Sequence, residues 1–335
     1  MRVVSTMLAI AALTASVGAI AVPTAAAQSP QWQVHLLPLP DGHPDATGYV
    51  TGTDGRGTYS GTLAIGDRVE VVKWTRDTVT VVGAPAGTEF PSVSDHNRAG
   101  TIVGAAHDRE TGSLVPFVLN GTAFRLLPTP AGHSGSSAEA INDRGDVLGA
   151  ATGPDGQSKT VLWRADSLEH PELLDVPGWG TDIDEDGTIL LNTMDGPPRL
   201  FRNGKLVDLV VPAGYRYPHA SEIKNGVVVG SIASTTRPGA GGFLWRTPDN
   251  PQPLQGSDTA SHMNKFGLIV GREPIPLSPH GPLAVWWGTH FAGRLPMPAD
   301  HKGAAGAVGD DGAIVGWVST HPLDEGGRPA VWRLF

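Results

Sequence analysis

Several side chains in this sequence could do acid–base or metal chemistry, and they recur at fixed places. Asp95, Asp182 and His262 each stand five residues before a glycine, and Glu222 stands four residues before one. Carboxylates that face one another raise each other's pKa or bind a cation. If these residues lie on strands around a central channel, they line it. The alternative is an ordinary hydrated channel wall.

One of these residues also begins a stretch that is typical of a calcium loop. The sequence DIDEDG places Asp182, Asp184 and Asp186 at alternate positions before a glycine, as a calcium-binding loop does. An EF-hand needs glutamate at position twelve, and Thr193 stands there instead. We therefore expect a plain turn and no cofactor, with calcium as the alternative.

Histidines and aromatic residues follow a second recurring segment. Histidine stands three residues after proline in PDGH, PAGH and PADH, and a longer related segment reads PAGYRYPHA. In loops around a channel mouth, such side chains would form a polar–aromatic pocket that stacks a sugar ring or grips a peptide. The alternative is that histidine only tolerates an exposed turn. The ligand-binding candidates are His43, His133, His219, His301, Phe90, Trp179, Tyr215 and Tyr217.

These positions belong to a repeat. The element Gly-x-x-x-Gly occurs as GTYSG, GTIVG, GDVLG, GVVVG, GLIVG and GAIVG, and GTILL is a seventh copy without the second glycine. Successive first glycines lie 39 to 45 residues apart. A period of about 40–45 residues is that of four-stranded propeller blades. The sequence therefore predicts seven blades.

Each repeat can be divided into strands a to d. A polar turn such as INDRG joins strand a to strand b, and the runs VVKW, TVLWR, GFLWR, LAVWW and PAVWR form strand c. The pairs Asn120-Gly121 and Asn203-Gly204 predict tight hairpins between strands c and d. The a–b and c–d hairpins then share one face of the propeller, the turn face. The d–a and b–c connections share the other, the loop face.

The two ends of the chain predict how the ring closes. The sequence ends in AVWRLF, a strand c with no strand d after it, and WQVHLLPLPDG near the start matches a strand d. We expect this N-terminal strand to join the C-terminal blade, because closure removes exposed sheet edges. The predicted fold is all-β, a single seven-bladed β-propeller in residues 28–335. Its blades are 43–87, 88–132, 133–178, 179–214, 215–257, 258–300, and 301–335 together with 31–40.

Residues 1–27 have the composition of a secretory signal peptide. Arg2 is followed by an apolar stretch and by three alanines at 25–27, so we expect cleavage there and a secreted, extracellular protein without membrane insertion. The chain has no cysteine, which excludes thiol chemistry, and its formal net charge of −9 gives no basic surface for nucleic acid. Its 44 glycines and 29 prolines fit many turns between short strands.

The repeats resemble those of the HAF-repeat family of bacterial extracellular proteins. The likeness covers nearly all of the chain after residue 27, through the I-N-x-x-G turn, the V-x-G strand and the L-W-R ending. The His-Ala-Phe run that names the family is absent, and KTV, GGF and PAV stand in its place. The resemblance implies secretion and a propeller-like repeat, and it transfers no catalytic residue.

The loop face is the expected place for function. The b–c loops are long and dissimilar, and loops of this kind on a rigid scaffold usually carry binding residues. We predict a secreted, monomeric binding module that recognises a glycan or another cell-envelope ligand. The first alternative is a protein–protein interaction scaffold, with an apolar patch on that face and an extracellular protein as partner. The second is a lyase or glycosidase, with close carboxylates in a deep pocket. No GxSxG, HExxH or P-loop motif assigns a catalytic residue.

Overall fold

The computed structural model of the protein describes residues 31–236, 239–275, 281–321 and 326–335. These residues form twenty-eight β-strands, and none of them belongs to an α-helix. A helix long and apolar enough to cross a membrane is likewise not found among them. The strands build seven four-stranded antiparallel sheets in a ring, which confirms the predicted seven-bladed β-propeller. The predicted signal peptide, residues 1–27, lies outside the described residues.

The first four blades use strands β2 to β17 in chain order. Blade 1 contains β2 (Thr47–Thr53), β3 (Thr58–Ile65), β4 (Arg68–Thr75) and β5 (Thr78–Gly83). Blade 2 contains β6 (Thr88–His96), β7 (Thr101–Asp108), β8 (Leu114–Asn120) and β9 (Ala123–Leu126). Blade 3 contains β10 (Gly135–Ile141), β11 (Val147–Thr152), β12 (Ser158–Trp163) and β13 (Glu172–Leu173). Blade 4 contains β14 (Trp179–Ile183), β15 (Ile189–Asn192), β16 (Arg199–Arg202) and β17 (Lys205–Asp208).

The last three blades follow the same order, except that the seventh takes its outer strand from the start of the chain. Blade 5 contains β18 (Tyr215–Lys224), β19 (Val227–Ser234), β20 (Ala240–Trp245) and β21 (Pro251–Pro253). Blade 6 contains β22 (Thr259–Met263), β23 (Leu268–Arg272), β24 (Leu283–Trp287) and β25 (His290–Arg294). Blade 7 contains β26 (Lys302–Val308), β27 (Ile314–Ser319), β28 (Arg328–Leu334) and β1 (Trp32–Leu36).

The ring closes through strand β1. It pairs antiparallel with β28, so that Trp32 lies opposite Leu334 and Leu36 lies opposite Ala330. The backbone N–H of Gln31 donates a hydrogen bond of 2.9 Å to the carbonyl of Phe335, which extends this pairing to the last residue. The expected contribution of the N-terminal strand to the C-terminal blade is therefore present.

The polar a–b turns hold neighbouring blades together. In blade 3 the side-chain amide oxygen of Asn142, Oδ1, accepts the backbone N–H of Asp146 across its own turn. Its amide nitrogen Nδ2 donates to the backbone carbonyl of Asp184 in blade 4 at 3.2 Å. Asn97 and Asn264 make the corresponding bonds, to the carbonyls of Asn142 and Gly309. Asparagine is favoured at this place because one side chain both completes its own turn and reaches the next blade.

The tryptophans of strand c link each blade to the one before it. The indole N–H of Trp163 donates to the carbonyl of Pro128, just after the outer strand of the preceding blade, at 3.0 Å. The rings are fully buried, so they also fill the hydrophobic layer between the two sheets. Blades 2 and 4 carry Leu119 and Phe201 at this position, and neither side chain has a hydrogen-bond donor. The other indole hydrogen bonds are Trp74 to Pro38, Trp245 to Val210, Trp286 to Gln255 and Trp332 to Pro296.

Two adjacent tryptophans in β24 allow the indole hydrogen bond to be tested. Trp286 is fully buried and donates to Gln255, whereas Trp287 is 47% exposed. We expect Trp286→Phe to lower the free energy of unfolding by about 1–3 kcal/mol, because it removes a hydrogen bond and leaves a small cavity. Trp287→Phe is the matched control, with a change within about 0.5 kcal/mol. Urea-induced unfolding measures both, and equal losses would contradict the role of the indole bond.

Candidate functional site

A bulge in every inner strand places the channel side chains. In all seven strands a, the pairing register shifts just before the same position. In four of the blades this position holds Asp95, Asp182, Glu222 or His262. A bulge re-aims the side chain that follows it. Gly52, Ala140 and Ala307 occupy the same position in the other three blades. These seven equivalent positions therefore hold four ionisable residues and three small ones.

The three carboxylates among these residues each accept a hydrogen bond from the next blade. Asp95 Oδ2 accepts the backbone N–H of Ile141 at 2.9 Å, and Asp182 Oδ2 accepts that of Ile223 at 2.8 Å. Glu222 Oε2 accepts the N–H of Met263 in blade 6. Each carboxylate thus satisfies a backbone donor on the inner strand of the following blade. This structural role explains why an acidic residue stands at the position.

Lys224 neutralises the acidic part of the channel. Its Nζ lies 3.4 Å from Asp182 Oδ2 and 3.2 Å from Glu222 Oε1, and His262 Nδ1 lies 3.9 Å from Glu222 Oε2. This lysine is not among the candidates predicted from the sequence. A signal was present, because the turn IKNG has lysine where INDRG and MNKFG have asparagine.

Burial dominates the ionisation of this cluster. It raises the pKa of Asp182 to about 7 against the opposing charge of Lys224, and the nearby Glu222 and Asp95 carboxylates add to the rise. Burial lowers the pKa of Lys224, but Asp182 and Glu222 outweigh it and hold that pKa well above its usual range. Burial also lowers the pKa of His262. The cluster is therefore a coupled acid–base group on the channel wall.

The space beside this cluster is small. A cavity of about 110 Å³ on the ring axis is lined by residues of all seven blades, among them Asp95, Glu222 and Lys224. It has room for several waters. Such a volume suits a hydrated wall, and a sugar ring needs more space.

The carboxylates of DIDEDG point to different partners. Asp182 faces Ile223 and Lys224, and Asp184 accepts the backbone N–H groups of Asn225 and Gly226. Asp186 instead accepts the N–H of Thr188 and forms an ion pair of 3.1 Å with Arg202. The three side chains do not converge on one point. Within the described part of the chain, no group of three or more histidine, aspartate or glutamate side chains is arranged to hold a metal ion.

The recurring histidines of the loop face complete turns. His133 Nδ1 lies 3.2 Å from the carbonyl of Ala131, and His301 Nδ1 lies 2.7 Å from that of Ala299. Their backbone N–H groups donate to Pro130 and Pro298, which closes the same turns. A ring nitrogen that donates back into its turn accounts for histidine after PAG or PAD. His43, by contrast, is exposed, and its backbone N–H donates to the carbonyl of Pro40.

Phe90 and Tyr217 are equivalent residues in blades 2 and 5. Each lies at a further bulge of strand a, precedes a proline, and has left-handed backbone, with φ of 48° and 51°. Their side chains are 55% and 70% exposed. Bulky residues rarely adopt this backbone, and such strain concentrates at functional sites. The guanidinium of Arg216 lies 5.0 Å from the centre of the Tyr217 ring.

Phe90 borders a cavity of about 560 Å³ between blades 1 and 2 on the loop face. One wall is the blade connection Gly83 to Gly87, whose residues are all small. Charged side chains from both blades form the rest of the lining. Arg109 is fixed by a bond from its Nε to the carbonyl of Thr88 at 2.9 Å. The charged lining residues are Asp67, Arg68, Glu70, Glu89 and Arg109.

The remaining candidates are spread around the ring. Tyr215 is half-buried, with its ring against Phe243 at 4.9 Å between centroids, and it lines a separate cavity of about 270 Å³. Trp179 is half-buried at the start of β14, and His219 is exposed on β18. Phe90 is thus the candidate that the structure places beside a large cavity. The charged lining residues were missed, because they lie on three separate segments of blades 1 and 2.

Comparison with known proteins shows the fold alone. No family model matches this chain, and no curated protein matches it in sequence, so the HAF resemblance stays a prediction. An oligogalacturonate lyase solved in complex with manganese is similar, with a TM-score of 0.59 and 12% identity over 91% of this chain and 96% of its own. A prolyl endopeptidase gives 0.56 and 11% over 82% and 46%, and an acylaminoacyl peptidase of Pyrococcus horikoshii gives 0.53 and 11% over 76% and 47%. This chain spans about half the length of the two peptidases.

The raised pKa of Asp182 predicts a pH-dependent stability. An aspartate ionises near pH 4 in an unfolded chain. The folded protein therefore binds this proton more tightly, and its stability falls as the pH rises from about 4 to about 7. Asp182→Asn removes this titration. Urea-induced unfolding across the pH range is expected to show the slope in the wild type relative to the variant. A constant difference between the two proteins at every pH would contradict the prediction.

Proposed function

We propose that this protein is a binding module that takes a glycan in the cavity between blades 1 and 2, with Phe90 as the stacking platform. The observation that carries the proposal is a strained, exposed aromatic ring at the edge of a 560 Å³ cavity. Binding pockets for small ligands measure roughly 300–1,000 Å³. The cavity is large enough for one or two sugar residues.

The chemistry of the lining supports a carbohydrate. A sugar presents an apolar ring face and a rim of hydroxyl groups, so it is bound by an aromatic surface together with fixed donors and acceptors. Phe90 supplies the surface, Arg109 the donors, and Glu70 and Glu89 the acceptors. Arg109 is already oriented by its bond to Thr88, so little freedom is lost on binding.

The position of Phe90 also supports a role in binding. A left-handed backbone costs roughly 1–2 kcal/mol for a residue other than glycine. The bulge points the ring outward, where it gains little from packing, since more than half of the side chain is exposed. A residue that is unfavourable for the fold and well placed beside a cavity is typical of a binding site.

The contacts of the channel carboxylates argue against a catalytic role for them. Its carboxylates lie close together, as an enzyme would require, but each is bonded to the backbone of the next blade. The adjoining cavity of about 110 Å³ is too small for a sugar ring. We therefore propose the loop face, and not the channel, as the place where the ligand is bound. The same proposal includes secretion, since the ligand class is extracellular.

A glycan array tests the proposal. The purified protein is applied to hexose, N-acetylhexosamine and uronic-acid oligosaccharides, once with calcium and once with EDTA. For any glycan that binds, Phe90→Ala is expected to weaken binding about tenfold or more, because aromatic anchors contribute more than about 1 kcal/mol each. Arg109→Gln is expected to act in the same direction.

Tyr217→Ala is the matched control. Tyr217 has the same backbone conformation, the same following proline and a similar exposure, and it is not part of the cavity lining. Its variant is expected to bind as the wild type does. Equal losses for both variants, or no bound glycan at all, would contradict the proposed site.

A further inference from the structure

We propose a second binding site, for a small amphipathic anion, in the cavity where blade 7 meets blade 1. The ligand class is a carboxylate or phosphate group attached to an apolar body. The cavity measures about 490 Å³, which is within the range of small-molecule sites. Its walls include the a–b and c–d turns of blade 1 and the C-terminal residue, so it reaches the turn face, away from the glycan cavity.

Three guanidinium groups give the cavity its preference for an anion. Arg56 and Arg76 stand on the two turns of blade 1, and Arg333 stands near the end of β28. Among the residues that the structure describes, neither Arg56 nor Arg76 forms an ion pair. Guanidinium forks bind carboxylate and phosphate oxygens with paired hydrogen bonds. Asp77 and Asp311 also line the cavity, so its side chains carry three guanidinium groups against two carboxylates.

Arg333 is held in place from two sides. Its Nη2 donates to the buried hydroxyl of Tyr59 and to Asp311 Oδ2, the second at 3.1 Å. Both bonds use the same nitrogen, so the other side of the guanidinium is not engaged by them. Tyr59 is specific to this junction. At the same place in the other six repeats stand Ile102, Val147, Ile189, Val228, Ile269 and Ile314.

An apolar surface adjoins the charged groups. The Phe335 ring is 63% exposed and lies edge-on to His35, with 5.5 Å between centroids. Leu36, also on this wall, is 49% exposed. A second cavity of about 290 Å³ shares Arg333 and Phe335 with this one and is also lined by Trp32 and Trp287. An anion with an aromatic or aliphatic body would cover this surface, and an inorganic ion would not.

The backbone of Arg76 is a separate observation that favours a site. Its φ is 54°, at a c–d hairpin where blade 4 uses Asn203-Gly204 with φ of 50° and 74°. Glycine or asparagine suits such a turn, and an arginine there is strained. The turn itself does not favour the side chain, so we assign the guanidinium to the cavity it lines.

Isothermal titration calorimetry of the purified protein tests the site with four probes: phenyl phosphate, benzoate, inorganic phosphate and benzyl alcohol. We expect phenyl phosphate or benzoate to bind at least about tenfold tighter than inorganic phosphate or the neutral alcohol, because only they combine charge and ring. Added salt is expected to weaken that binding. Which of the two anions binds tighter identifies the preferred headgroup.

Arg76→Gly is the decisive variant. Glycine adopts this backbone freely, so the variant is expected to unfold at the same temperature as the wild type or higher, while the affinity for the aromatic anion falls about tenfold or more. Arg56→Gln is expected to lower the affinity as well. Asn203→Gly makes the same backbone change in blade 4 and is expected to leave binding unchanged. Unchanged affinity in Arg76→Gly, or no binding of either aromatic anion at millimolar concentration, would overturn the proposal.

Discussion

Hydrogen bonds from side chains of one blade to the backbone of its neighbour are the constraint on which this structure depends. Within a blade the strands share backbone ladders, whereas neighbouring sheets are joined by packing, by these bonds and by a few backbone hydrogen bonds, such as the pair between Gly48 and Gly327. The buried tryptophan indoles form them at five junctions, and the turn asparagines and channel carboxylates add others nearer the axis. Each bond satisfies a buried backbone group, so losing one costs more than the bond itself contributes.

Both proposed sites lie at junctions, and the junctions differ. The glycan cavity lies between blades 1 and 2, where Leu119 replaces the tryptophan. There the blades are joined nearer the channel instead, by Ser60 Oγ and His96 Nδ1 at 3.2 Å. The anion cavity lies at the closing junction, which keeps its indole bond from Trp74 to Pro38. The two cavities therefore differ in how their walls are held together.

The fold could be predicted from the sequence because its repeat unit occurs seven times. The glycine spacing gave the number of blades, and the unmatched ends gave the closure, since both depend on local strand and turn signals. Phe90 was among the candidates because an aromatic residue close to a blade connection can be recognised in the sequence. Arg109 and Glu70 were not found, because they come together only when two blades pack against each other. Lys224 was overlooked for a different reason. It departs from the turn motif, and that departure gains a meaning only once the structure places Asp182 and Glu222 beside it.

The pairing of β1 with β28 has a consequence for the order in which the molecule is made. Of the described strands β1 is synthesised first, and its partner β28 is synthesised last. The intervening blades can form as they are synthesised, because each uses contacts close in sequence, but the ring stays open until β28 has been synthesised. During that time β1 has no partner strand, and its unpaired backbone groups can join other chains. A chaperone that covers the N-terminal strand during translation would therefore protect this protein more than one that acts after release.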